Sequence, residues 1–134
     1  MLTTCLLATL PLAPVPPKHD RMPSVPITLT TPTGEISGSL VVPPGTARHP
    51  VVLIIAGSGP TDRDGNSPVP LAPGRTLHTD SYRLLAEALA ANGIASVRYD
   101  KRCVGASAKA MSGMKEDDYR FDMAAREIYE FVWD

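Results

Sequence analysis

The 134-residue sequence suits one small domain or a piece of a larger one. Charged residues make up 20% of it and the formal net charge is -1, which excludes strong electrostatic recruitment of nucleic acid or of acidic membranes. No apolar run is long enough to cross a bilayer. We therefore expect neither a nucleic-acid partner nor a membrane span.

The first residues differ in composition from the rest of the chain. We separate residues 1–24, a leader or disordered proline-rich tail, from a domain over residues 25–134. An apolar run over 2–13 could be the core of a signal peptide, although no Lys or Arg precedes it and Pro14 follows Ala13 at the expected cleavage context. Both interpretations stay open, and with them the localisation, cytoplasmic or exported.

Two alternating segments and one fully apolar segment predict three strands. Residues 27–31 and 36–42 alternate apolar and polar positions around a turn at 32–35, which predicts an antiparallel hairpin. Residues 51–56 are apolar at every position, which predicts a parallel strand covered on both faces. A long polar loop is expected from Gly57 to Thr79, and loops of that length in a compact domain are usually functional.

Helical periodicity begins near residue 80, with Thr79 or Asp80 as the N-cap. The pattern ends at Asn92-Gly93, and a strand over 94–99 completes a right-handed βαβ unit. A final helix is expected from about residue 117. The apolar stripe of the first helix is Tyr82, Leu85, Ala86 and Leu89, and that of the final helix is Phe121, Ala124, Ala125, Ile128, Phe131 and Val132.

Three segments together resemble a known family. They are VVLIIAGSGPTDRDGN at 51–66, SYRLLAEAL at 81–89 and GIASVRYDKR at 93–102. In this order they are similar to the N-terminal portion of bacterial α/β-hydrolases, most closely the serine aminopeptidase-like and acyl-esterase-like hydrolases. The resemblance covers roughly residues 26 to 132. It implies an α/β fold, here an incomplete α/β-hydrolase fold, and hydrolysis of ester, thioester or peptide bonds.

The glycine-rich turn after the apolar strand carries the main functional expectation. In the family this loop supplies one backbone donor of the oxyanion hole. The matching donor is the backbone N–H of Ser58, with Gly57 and Gly59 providing conformational freedom. An ordinary tight turn is the alternative. A nucleophilic Ser58 hydroxyl is disfavoured, because the family carries its nucleophile in G-x-S-x-G at a later strand–helix elbow.

The segment Asp62-Arg63-Asp64-Gly65-Asn66 begins like a calcium loop, but Pro73 stands where an EF-hand needs a carboxylate. We therefore expect a hydrogen-bonded turn in the cleft wall. Neither a P-loop lysine nor the third glycine of a dinucleotide-binding motif follows Gly59. No C-x-x-C pair or His/Cys cluster has zinc spacing, so the sequence predicts no metal and no cofactor.

The segment DKRCVGAS at 100–107 is similar to the family's D-x-R-G-x-G-x-S loop at all but one position. The resemblance implies that Asp100 and Arg102 brace the loops around the site. Cys103 stands where glycine is usual, and a positive φ there would cost about 1 kcal/mol or more. A catalytic thiol and a disulfide to Cys5 are both disfavoured alternatives.

The sequence contains no G-x-S-x-G, and none of His19, His49 and His78 occupies the place of the family's last-in-chain histidine. We therefore expect a truncated hydrolase that lacks its nucleophile, acid and base and is inactive alone. Its substrate, once completed, would be a small acyl compound or a peptide. The alternative is a catalytically inactive binding module that self-associates through an exposed sheet edge.

Overall fold

The structure is a computed structural model that describes residues 22–111, 113, 115, 120, 123, 125, 126 and 128–130. Most of the expected leader, including Cys5 and His19, lies outside the described residues, as does most of the expected final helix. The elements are β1 (Ser24–Thr31), β2 (Gly34–Val41), β3 (Val51–Ile54), β4 (Ser67–Ala72), β5 (Arg75–Leu77), α1 (Ser81–Ala91), β6 (Ala95–Tyr99) and a 3₁₀ turn (Gly105–Ser107).

A four-stranded mixed sheet organises the chain in the order β1-β2-β6-β3. β1 and β2 pair antiparallel around Pro32 and Thr33, and β2 pairs antiparallel with β6. β3 pairs parallel with β6, with Val51 opposite Ala95 and Ile54 opposite Arg98. Because α1 connects these two parallel strands, β3, α1 and β6 form a mixed α/β unit.

Helix α1 packs on the sheet through small residues. Ala86 and Ala90, one turn apart, are buried against Val41 and Ile54, and Tyr82 and Leu89 flank this contact. Leu85 was expected in the same stripe, but its side chain is 47% exposed. The two alanines set the line of contact, and residue 85 lies about 100° around the helix from residue 86.

The ends of α1 follow different rules. At the C-terminus Asn92 donates its N–H to the Leu89 carbonyl, and Gly93 takes φ +79°, the left-handed conformation that glycine tolerates. At the N-terminus Asp80 occupies the N-cap position with φ +50° and makes no side-chain capping bond. Its carboxylate instead accepts from Arg83 at 2.6 Å and from the Asn66 amide at 2.9 Å. Hydrogen bonds to Asp80 and then to Glu87 raise the pKa of Arg83.

The strand expected over 51–56 is parallel to β6, as predicted, but it is covered on both faces only in part in the described structure. Ile54 packs against α1 on one face and Leu53 packs in a core on the other, but Val51 and Ile55 are 63% and 50% exposed. At its edge β3 has β6 on one side only among the described elements. The apolar side chains of this strand would be fully buried only if further strands or helices packed against it. The described part of the chain contains no such elements.

The expected irregular loop from 57 to 79 contains a second, two-stranded sheet of β4 and β5. Gly74, with φ +71°, lies in the turn between them. Pro68 and Pro70 lie within β4, where they lack the N–H that a strand normally donates, and the ladder shows register shifts. Because proline is unfavourable in strands, the sequence pattern of residues 67–72 did not predict β4.

A second core lies on the sheet face opposite α1, since Leu53 packs in it while Ile54, the next residue of β3, packs against α1. Ile36, Tyr99 and Ala110 are buried there, with Ile128 packed against them. The described residues 123, 125, 126 and 128–130 are helical, and Ala125, expected on the apolar face, is exposed. The remainder of that expected helix lies outside the described residues. None of the described helices is both long and apolar enough to cross a membrane.

Candidate functional site

The candidate site lies where β3 and β6 end side by side. Parallel strands present their carboxyl ends at the same sheet edge, which is where open α/β sheets place ligands. Two loops meet there. The first follows β3 and includes residues 57–60, hereafter the 57–60 loop, and the second follows β6 and runs from Asp100 to Ala110.

All four residues of the 57–60 loop are exposed. Gly59 has φ +85°, a conformation that favours glycine, and a Cβ on Gly57 or Gly59 would meet nothing within 4 Å. Among the described residues, no protein acceptor takes the Ser58 N–H. The loop therefore presents free backbone at the carboxyl end of β3.

Lys101 reaches across from the second loop and holds the 57–60 loop from one side. Its ammonium donates to the Gly57 carbonyl and, at 2.7 Å, to the Gly59 carbonyl. Partial burial lowers the pKa of Lys101 from its ordinary value. Among the described residues its ammonium forms no ion pair, so backbone carbonyls alone meet this charge.

The segment from Asp62 to Asn66 is a closed turn. One Asp62 carboxylate oxygen accepts the N–H groups of Asp64 at 2.9 Å and Asn66 at 2.8 Å, and the Asp62 N–H donates to the Asn66 carbonyl at 2.9 Å. This is the hydrogen-bonded turn expected from the sequence. In the described part of the chain no three His, Cys, Asp or Glu side chains come together in a way that could hold a metal ion.

Two acid–base pairs tie this turn to β6. Asp100, 2% exposed, accepts the Arg63 N–H at 2.7 Å and lies 3.7 Å from the Arg63 guanidinium. In the reverse sense, buried Arg98 donates through Nε to Asp64 at 3.0 Å. The turn supplies one acid and one base, and the end of β6 with the residue that follows it supplies the other two, which fixes the loop after β3 on the end of β6.

Arg102 ties the second loop to the hairpin. Its guanidinium is buried and donates to the hydroxyls of Thr33 and, at 3.0 Å, Thr31, and to the Ala110 carbonyl at 2.5 Å. These contacts, like those of Asp100, are of the bracing kind that the resemblance implied. Neither side chain faces the solvent, so neither is a candidate for direct chemistry.

Cys103 adopts φ +61°, the conformation for which the sequence predicted a cost, and its thiol is free and exposed. It borders a cavity of about 510 Å³ whose walls include Pro60, Asp62, His78 and Val104. A volume of this size accommodates a small organic molecule. The cavity opens beside the 57–60 loop, between the β4–β5 hairpin and the loop after β6.

No family model matches the sequence. Among solved structures the chain is similar to a serine hydrolase of the α/β type without a lid from Xanthomonas campestris, at 25% identity and a TM-score of 0.47. The similarity covers 81% of this chain and 44% of the other, so the chain spans less than half the length of that structure.

The described residues do not assemble a nucleophile with a base. His49 lies at the far end of β3, with Nδ1 3.2 Å from the Gly93 carbonyl. His78 borders the cavity, and among the described residues no serine hydroxyl bonds a histidine. Ser107, which follows Gly105 at elbow-like spacing, is fully buried and accepts the Ser37 N–H at 2.9 Å.

Sequence reasoning placed Gly57, Ser58 and Gly59 in one exposed loop but missed Lys101, the residue that holds it. The only available signal was a cation directly after a strand whose parallel neighbour ends in glycines. That signal becomes specific only when the register of β3 against β6 is known, because the register sets which residue of the second loop faces the first.

Proposed function

We propose that this chain supplies the oxyanion-binding portion of a serine hydrolase acting on ester, thioester or peptide bonds. The observation that carries the proposal is the 57–60 loop, which follows a parallel strand and leaves the Ser58 N–H without a described acceptor. A backbone N–H held in such a loop stabilises the negative charge that develops on a carbonyl oxygen during acyl transfer.

The chemistry needs three groups that this sequence does not supply in the family's pattern. A serine must attack the carbonyl, a histidine must move the proton, and a carboxylate must orient the histidine. The 134 residues contain no G-x-S-x-G, and Ser58 has no histidine within hydrogen-bonding distance among the described contacts. We therefore infer that a complete enzyme would draw these groups from sequence outside the 134 residues.

The cavity beside the loop supports a small acyl compound or a short peptide as substrate. Pro60, Pro68 and Val104 supply apolar parts of its wall, while polar groups come from Asp62, Asn66, Ser67, Thr76 and His78. The Asp62 carboxylate is engaged in its own turn, so it shapes the wall more than it offers charge to a ligand. Neither a cofactor nor a metal is part of the proposal.

The test has two readouts. DNA sequence beyond the Asp134 codon, read in three frames, should encode a G-x-S-x-G followed by Asp and His. The 134-residue chain should show no p-nitrophenyl ester turnover above buffer and no fluorophosphonate adduct. Turnover abolished by Ser58→Ala, or an adduct on Ser58, would make Ser58 the nucleophile and overturn the assignment.

A second candidate function, a binding module, is favoured by the β3 edge. Val51, Val52 and Ile55 are exposed along a strand that has a partner on one side only among the described elements. An edge strand of this kind pairs readily with another chain. Two copies related by a two-fold axis would pair their β3 strands antiparallel, which makes a second copy of this chain the partner that we propose for this edge.

A further inference from the structure

We propose that Lys101 is a positioning residue of the 57–60 loop, whose ammonium holds the Gly57 and Gly59 carbonyls and thereby orients the Ser58 N–H. The effect of Lys101 on catalysis rests on the proposed function, whereas its hydrogen bonds to the 57–60 loop do not.

The planar peptide between Gly57 and Ser58 sets the direction of the Ser58 N–H. In a trans peptide the carbonyl oxygen and the following N–H point in opposite directions from one plane. No described peptide bond is cis. The Gly57 carbonyl and the Ser58 N–H share one such plane. Because Lys101 holds the Gly57 carbonyl on its own side, the Ser58 N–H must point away from the ammonium, into the open space beside the loop.

The need for a clamp follows from the residues on either side. The peptide that carries the Ser58 N–H rotates about ψ of Gly57 and φ of Ser58, and Gly57 has no Cβ to restrict its part of that rotation. Such a rotation would put the carbonyl where the N–H should be and would repel a developing oxyanion. The second bond, 2.7 Å to the Gly59 carbonyl, holds the other side of Ser58, and the peptide there ends on Pro60, which has no N–H.

Charge adds a second effect. An ammonium bound to a peptide carbonyl polarises that peptide, so its N–H becomes a stronger donor. Lys101 forms no ion pair among the described residues, and no described carboxylate neutralises this effect. Lys101 is itself held in place, because its neighbours Asp100 and Arg102 are both buried and hydrogen-bonded.

The test compares Lys101→Met, which keeps the length and removes the charge, with Lys101→Arg, which restores a cation. The control is Lys109→Met, an exposed lysine of the same loop. In the 134-residue chain, the ¹⁵N order parameters of Ser58 and Gly59 should fall from about 0.85 to below about 0.6 in Lys101→Met, while those of α1 stay constant. Lys101→Arg should restore them and Lys109→Met should leave them unchanged.

Unchanged order parameters in Lys101→Met would overturn the proposal. If that variant does not fold, Lys101→Ala, which also removes the donor, is measured in the same way and decides by the same criterion.

A kinetic arm separates this inference from the proposed function. In the chain extended by its downstream coding sequence, Lys101→Met should lower kcat about ten- to hundred-fold with little change in KM. A loop that loosens in Lys101→Met while kcat is unchanged would keep the positioning role and refute the oxyanion assignment.

Discussion

The Asp100 carboxylate accepts the backbone N–H of Arg63 at 2.7 Å, across 37 residues of sequence. The same carboxylate accepts the Ala106 N–H at 2.9 Å. One buried side chain therefore fixes the loop after β3 and the loop after β6 together, and the candidate site lies between them. Because Asp100 is held in this way, the next residue, Lys101, lies where its side chain can bond the 57–60 loop.

Asp100→Ala should destabilise the chain by about 3 kcal/mol, because it leaves the backbone N–H groups of Arg63 and Ala106 without their acceptor and removes the carboxylate that pairs with the Arg63 guanidinium. Asp100→Asn should cost less, since one carbonyl oxygen remains. Glu35→Gln, at an exposed position of β2, is the control and should change the free energy of unfolding by less than about 0.5 kcal/mol. Urea unfolding measures all three, and a loss below 1 kcal/mol in Asp100→Ala would be inconsistent with the bracing role.

Gly105 and Gly74 offer a matched pair for the packing around Asp100. Both have positive φ, +50° and +71°, but a Cβ on Gly105 would lie 2.6 Å from an Asp100 carboxylate oxygen, whereas one on Gly74 would meet nothing within 4 Å. Gly74→Ala should therefore cost about 1 kcal/mol for the backbone alone, and Gly105→Ala about 2 kcal/mol more. Equal losses in thermal or urea unfolding would show that the loop moves away from Asp100 freely.

Cys103→Gly should stabilise the chain by about 1 kcal/mol, because a side chain at φ +61° is strained and glycine is not. Cys103→Ala keeps the Cβ and removes the thiol, so it should bring no comparable gain. A stabilisation that is the same in both variants would assign the effect to the thiol and contradict the backbone explanation.

Val51→Lys should reduce self-association, because a charge on an exposed edge strand disfavours pairing with a second copy. Leu71→Lys is the control, since Leu71 is 70% exposed on β4, outside the four-stranded sheet. Sedimentation velocity over a range of concentrations should show association in the wild type and in Leu71→Lys, and less of it in Val51→Lys. A wild type that stays monomeric at all concentrations would remove the binding-module function.

Much of the sheet could be read from the sequence, and the reasons are local. The segments predicted as strands at 27–31 and 94–99 overlap β1 and β6, where β-branched residues alternate or cluster between turn residues. Gly93, with φ +79°, ends the α1 region as glycine after a helix usually does. These features depend on neighbours in sequence, so a single sequence carries them.

The features that were missed depend on contacts between distant residues. β4 was hidden because Pro68 and Pro70 interrupt its pattern, yet pairing with β5 still forms. The exposure of Leu85 follows from the alanines that set the packing of α1, and the exposure of Val51 follows from the absence of a described neighbour beyond β3. The hydrogen bonds from Lys101 to the Gly57 and Gly59 carbonyls depend on the register of β3 against β6.

The most direct test of the oxyanion assignment removes one hydrogen atom from the loop. Ser58→Pro eliminates the backbone N–H of residue 58, whereas Ser58→Ala keeps it and removes only the hydroxyl. In the chain extended by its downstream coding sequence, kcat for a p-nitrophenyl ester should fall about 10²- to 10³-fold in Ser58→Pro and stay close to wild type in Ser58→Ala. A Ser58→Pro enzyme that folds and retains full kcat, or a Ser58→Ala enzyme that loses it, would contradict the assignment.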